Sequence, residues 1–200
     1  ELAVDTMLRD GGTLDVAADD TLVLSHPVGS LATAKPIVKT GAGCLSLKSV
    51  ASPYDYFTDM DIQAGAIRLP CKTDAGFTSV EGRITVGPAG LLMPSANTAN
   101  VTTSSQMISL SGSGIVSNGV GTADQCRFQP WFGEKKPTEF SGRIVGNITY
   151  YGNGFTYLTG TESTFTGAFH PYYNCESTTY GIVGVEKFGN AVTYTPCYET

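Results

Sequence analysis

The sequence predicts an all-β solenoid of stacked coils, and three observations predict it. A small residue followed by two apolar residues at alternating positions returns eight times, with first positions 23, 22, 24, 24, 33, 21 and 23 residues apart. The third position of this frame is apolar in every copy: Leu22, Leu45, Ile67, Leu91, Ile115, Ile148, Phe169 and Val192. Charged residues make up only 15% of the chain while glycine reaches 24, a profile poor in helix formers and rich in strand and turn residues. A fixed period in the range of roughly 20–50 residues marks a repeat architecture in which each unit buries its apolar face against its neighbours.

The elements follow in order. Residues 1–9 form the one short amphipathic stretch, which together with residues 10–12 suits a cap on the first coil (1–12). Asp19-Asp20 suits a bend, where Asp supports the turn. The regular coils occupy 13–122, with clear frame copies at Gly43-Cys44-Leu45-Ser46-Leu47 and Gly65-Ala66-Ile67-Arg68-Leu69. Alternate residues of a strand face one side, so the third and fifth positions point inward and the fourth is free to be polar. Met60/Ile62, Ile84/Val86 and Ile108/Leu110 read as a second alternating pair before the bend. The long step from Ser113 to Gly146 assigns residues 123–140 to an insertion loop. That stretch carries Phe128, Trp131, Phe132 and Phe140 beside Lys135 and Lys136. Such aromatics suit a carbohydrate-stacking platform or a protein contact, or equally a small satellite core over the coil. Residues 141–200, crowded with Tyr and Phe, read as wider C-terminal coils, a cap, or an interface for a next subunit.

Charge and cysteine usage narrow the function classes. A net charge of −6 and a pI near 4.8, with 12 scattered Lys and Arg, argue against nucleic acid. No apolar run approaches the length of a membrane-spanning helix, so no membrane insertion is expected. The chain begins at Glu1 without Met, which fits an exported chain already processed. The five cysteines show no C-x-x-C spacing and have only His26 and His170 as companions, so neither a metal site nor a cofactor is predicted. Disulfides suit Cys175 with Cys197 and Cys44 with Cys71, each pair separated by about one coil. Cys126 is then left over as an intermolecular thiol, and burial of all five as small apolar residues is the alternative. Asp55, Asp59 and Asp61 with Arg68 form the best constellation for sugar chemistry, and they read more simply as a solvated outer face. Asn100-Val101-Thr102 and Asn147-Ile148-Thr149 match the short glycosylation pattern without further support. No catalytic residue is assigned.

Residues 35–69 carry a family likeness. They read Lys-Pro-Ile-Val-Lys-Thr-Gly-Ala-Gly-Cys-Leu-Ser-Leu, then 54–58 with its Tyr and Thr, then Asp61-Ile62-Gln63-Ala64-Gly65-Ala66-Ile67-Arg68-Leu69. This resembles the passenger-associated repeat of bacterial autotransporter surface proteins. The resemblance implies a right-handed parallel β-helix at the cell surface, used as a stalk or scaffold. With the repeat count it sets the expected fold as a right-handed parallel β-helix of about seven to eight coils. The expected role is a secreted or cell-surface structural protein that is not an enzyme and self-associates end to end or covalently. The alternatives are an adhesin that displays the 123–140 loop to a glycan or surface protein, and a polysaccharide-processing enzyme.

Overall fold

Parallel strands cannot be joined by a tight hairpin, so a chain that pairs with itself in parallel must travel a dozen or more residues before each return. A repeat of about 23 residues supplies that distance. The computed structural model describes residues 6–7, 11–24, 28–29, 35–47, 56–57, 59–69, 80–94, 105–118, 126–130, 138–151, 156–165, 167 and 169–170. Among them there is no helix, and every strand pair is parallel. The sheet is open, and its strands are ordered by whole repeats, as expected of a β-solenoid.

Two long ladders carry the core. In the first, Gly12–Asp15, Ile37–Thr40, Met60–Arg68, Val80–Met93, Ser105–Gly112, Thr138–Phe140 and Thr156–Leu158 follow one another. Its register aligns Leu14, Lys39, Ile62, Val86, Gly112, Phe140 and Leu158 in one inward column. In the second, the strands Thr21–Leu24, Cys44–Leu47, the latter parts of Met60–Arg68 and Val80–Met93, Ile115–Ser117 and Arg143–Gly146 align Leu22, Leu45, Ile67, Leu92, Val116 and Ile144. Leu45 is 1% exposed, and Ile67, Leu92 and Val116 are 0% exposed. Each such side chain contributes roughly 1.5–3 kcal/mol by leaving water. A third, shorter ladder aligns Cys126 with Ile148, and Phe128 with Tyr150 and Phe169.

The register corrects the frame in its later copies. Ile62 pairs with Val86 but Ala64 pairs with Ala89, so the Gly87-Pro88 side of the bend holds one extra residue. A one-residue change of register turns that strand's side chains to the opposite face. Leu92 and Val116 therefore point inward where the frame had placed Leu91 and Ile115, and these two are half-buried on the outer side. On the first ladder the shift is two residues, so Leu110 stays inward but lies beside Ile84, and Gly112 lies beside Val86. Ile144 continues the second column, while Ile148 belongs to the third ladder.

The region assigned to an insertion loop also changes meaning. Cys126–Pro130 is a strand paired with Ser105–Gly112 and with Ile148–Tyr151, and Thr138–Phe140 is a strand of the first ladder. Val116 and Ile144 are register neighbours, so the excess over a normal repeat is about half of what the sequence frame had implied. Residues 131–137, with Trp131 and Phe132, lie outside the described residues, as do 171–200 and most of the expected N-terminal cap.

Glycine makes the bends stackable. A Cβ on Gly65 would run into the carbonyl oxygens of Gly41 and Gly43 in the preceding repeat, and its φ of +69° already disfavours other residues. Gly114, Gly142 and Gly160 crowd the bend carbonyls of the repeat before in the same manner. The bend at Asp19 has φ +67°, and the Asp20 N–H donates to Ala17 O at 3.2 Å, as the Asp19-Asp20 pair had suggested.

Candidate functional site

The inward column of the first ladder contains one charge. Lys39 aligns with Leu14 on one side and Ile62 on the other, positions that demand an apolar residue, and it is 0% exposed. Burying an ammonium without partners is prohibitive, so its head must be satisfied by fixed acceptors. It donates to the carbonyls of Thr40, Gly41 at 2.9 Å and Ala64 at 3.2 Å. The three acceptors span the bends of two successive repeats, so this side chain fastens one bend to the next. Burial holds its pKa below the ordinary lysine value of 10.5, with Asp15 and Cys44 pulling it back upward. Lys39 is the first residue of the Lys-Thr-Gly-Ala-Gly segment, and sequence reasoning gave it no individual role. The signal was available: in Ile37-Val38-Lys39-Thr40 it takes the place that Ile62 and Val86 take in later repeats.

The outer sides of the two ladders differ in chemistry. On the first, hydroxyls, amides and carboxylates bond to one another. Thr40 Oγ1 donates to Asp15 Oδ1 at 2.8 Å, Gln63 Nε2 donates to Asp61 Oδ2 at 3.0 Å, and the Thr85 and Ser111 hydroxyls are 3.0 Å apart. Further along, Thr159 Oγ1 donates to Glu139 Oε1 at 2.9 Å. On the second ladder the outward positions are largely apolar and half-buried, with Arg68 among them.

The predicted site residues separate. Asp59 Oδ1 accepts the Arg83 N–H at 2.8 Å, a link between neighbouring repeats. Asp61 lies on the first ladder and Arg68 on the second, with the bend at Gly65 between them, so they do not converge on a shared cleft. Asp55 lies outside the described residues. Phe140 is 1% exposed in the inward column, next to Gly112, which brings no side chain; the pairing of large with absent volume fills the core and removes Phe140 from any displayed surface. Phe128 is on the third ladder opposite Tyr150. Cys44 is half-buried on the outer side of the second ladder and carries a free thiol. Cys126 stands opposite Ile148, and Cys71, Cys175 and Cys197 lie outside the described residues. Among the described residues no group of three or more His, Cys, Asp or Glu side chains is gathered in a way that would hold a metal ion. No described helix is long and apolar enough to cross a membrane. No family model, curated protein or solved structure matches the chain.

Proposed function

We propose that the chain is a secreted or cell-surface structural protein, a right-handed parallel β-helix of about seven to eight coils that acts as a stiff scaffold and self-associates, without catalysis of its own. The observation that carries this reading is the unbroken second column, one inward apolar residue per repeat from Leu22 to Ile144. Backbone hydrogen bonds run between repeats along that direction, and such a stack resists bending because every rung is bonded to the next. The likeness of residues 35–69 to the autotransporter passenger repeat points the same way, toward an exported stalk. Growth by end-to-end addition is an open, filament-type assembly, and Cys126 offers a covalent route. The outer polar network of the first ladder suits a solvated wall rather than a reaction centre.

Negative-stain electron microscopy with and without reductant, alongside solution mass, tests the proposal. Filaments or covalent ladders support it. A monomer under both conditions sinks the assembly part and leaves display of a ligand as the reading. That second reading now rests on Phe128, Trp131 and Phe132, because Phe140 is in the core; a glycan or surface protein that binds there would change Trp131 fluorescence.

A further inference from the structure

One position separates the first described bend of the stack from those that follow it. The residues immediately before the register mates of the second ladder are Asp20, Gly43, Gly65, Gly90, Gly114 and Gly142. At each of the five glycines a Cβ would stand less than 3.0 Å from a carbonyl oxygen of the repeat before. Only Gly65 among them has a positive φ, so at the other four the close approach of the preceding repeat, not backbone conformation, demands glycine. Asp20 holds the same place in its bend. Its carbonyl accepts the Cys44 N–H at 2.9 Å, as the Gly43 carbonyl accepts the Ala66 N–H at 3.1 Å and the Gly114 carbonyl the Arg143 N–H at 3.0 Å. Its own N–H is used differently. Gly43 and Gly114 donate to Val16 O and Val86 O of the repeat before, whereas Asp20 donates to Ala17 O within its own bend. Asp20 therefore carries a Cβ and a carboxylate where the later bends keep room for a neighbour.

The surroundings of Asp20 fit an end of the stack. Among the described residues Gly12–Asp15 pairs only with Ile37–Thr40, and Thr21–Leu24 only with Cys44–Leu47. Leu14 and Leu22 are only partly buried, while Lys39 and Leu45, the next members of their columns, are closed off from water. The bend residues Ala17, Ala18, Asp19 and Asp20 are exposed. An open strand edge invites pairing with another chain, and charge placed on it opposes that pairing. We propose that Asp20 is a stop: it closes this end of the stack to a further turn in solenoid register, whether that turn comes from a second copy or from another chain. The Cβ overlaps the carbonyls that an incoming bend would present, and the carboxylate finds no donor among them. An open head-to-tail filament needs both ends of every copy. With one end stopped, joints between like ends close as a pair, and longer assemblies need a side contact or a thiol link. For its role in assembly the stop rests on the scaffold reading, whereas its physical basis is the register alone.

The test lengthens the chain by one repeat. A copy of residues 37–59 inserted between Gly11 and Gly12 supplies a turn in register, because Gly12, Ile37 and Met60 are mates. Amide hydrogen exchange then reads whether Gly12–Asp15 and Thr21–Leu24 gain a neighbour. With Asp20 in place, or with Asp20→Ala, exchange of these strands is expected to stay within about threefold of the unextended chain. With Asp20→Gly it is expected to slow by at least about tenfold. Slowing without the change to glycine, or none with it, overturns the proposal. A second arm needs no insertion. In the unextended 200-residue chain, Gly43→Asp is expected to lower the urea midpoint and Asp20→Gly to leave it in place. An unchanged midpoint for Gly43→Asp would mean that a bend with a neighbour before it tolerates what Asp20 carries, and the stop would fall even if the lengthened chains did not fold. The scaffold reading fails separately: a monomer removes its assembly part and leaves the stop standing. A wild-type filament in which exchange of Gly12–Asp15 and Thr21–Leu24 slows on assembly keeps the scaffold and overturns the stop.

Discussion

Leu91 and Leu92 are adjacent, chemically identical and opposite in consequence. Leu92 is 0% exposed in the second column between Ile67 and Val116, while Leu91 is half-buried on the outer side. Leu92→Ala removes three carbons from a site closed on both faces, a transfer loss of about 2–2.5 kcal/mol at roughly 0.8 kcal/mol per methylene. The space left behind adds to this, because rungs held by backbone hydrogen bonds on both sides cannot collapse inward; the total is about 3–4 kcal/mol. Leu91→Ala removes the same atoms from a surface that water already reaches, at a cost of about 1 kcal/mol or less. With a urea slope of about 2 kcal/mol per molar, the two midpoints separate by about 1–1.5 M. Urea unfolding followed by circular dichroism measures this directly. Equal shifts, or a larger shift for Leu91→Ala, would refute the register after Gly87-Pro88 and with it the assignment of the inward column.

Other substitutions probe other parts of the stack. Gly65→Ala meets the carbonyls of Gly41 and Gly43 at a backbone φ of +69° and is expected to cost more than about 2 kcal/mol, read as a fall in melting temperature. Phe140→Ala should cost about 3–5 kcal/mol in urea unfolding, whereas a displayed binding residue would leave the midpoint in place. Lys39 has its folded-state pKa below the unfolded value of 10.5, so its charged form weighs against the fold at neutral pH and that penalty eases as pH rises toward 10.5. Lys39→Met should abolish this rise in a series of unfolding midpoints against pH. Tyr150, fully buried, has its pKa raised above the ordinary 10.0, so the stability it contributes is complete below that pH and is lost above it; Tyr150→Phe should flatten that alkaline decline.

The first half of the fold was legible because its repeats keep step. Leu22, Leu45 and Ile67 sit at one frame position and pair in the structure as the spacing predicts. The reading slipped at Gly87-Pro88, where one extra residue in a bend leaves no trace in composition yet exchanges the inward and outward positions of the second ladder after it. Apolar residues at both Leu91 and Leu92, and at both Ile115 and Val116, hid the slip, because either choice satisfied an apolar pattern. Ile144 was passed over for the same reason, with Ile148 offering a second candidate four residues on. Lys39 was hidden by its charge: a pattern read as polar or apolar cannot show an ammonium held in an inward column by carbonyls of two bends. Arg68 was noticed only as a companion to distant carboxylates, and its place on an apolar strip depends on which ladder it joins. The spacing of residues 123–140 announced an irregular coil, but which residues would pair across it depended on partners more than twenty residues away.

The glycine bends resting on the carbonyls of the repeat before impose a rule on how the length of this chain can change. Loss or gain of a few residues within a ladder would set a Cβ against a carbonyl or turn an apolar column toward water. Removal of a whole repeat between register mates, such as the span from Leu45 to Ile67, would keep the second column in register. Length variation in such a chain is therefore quantised. Related chains should differ by complete turns, or by additions between ladders, and a ruler built this way shortens or lengthens in units of a single strand spacing, about 4.8 Å.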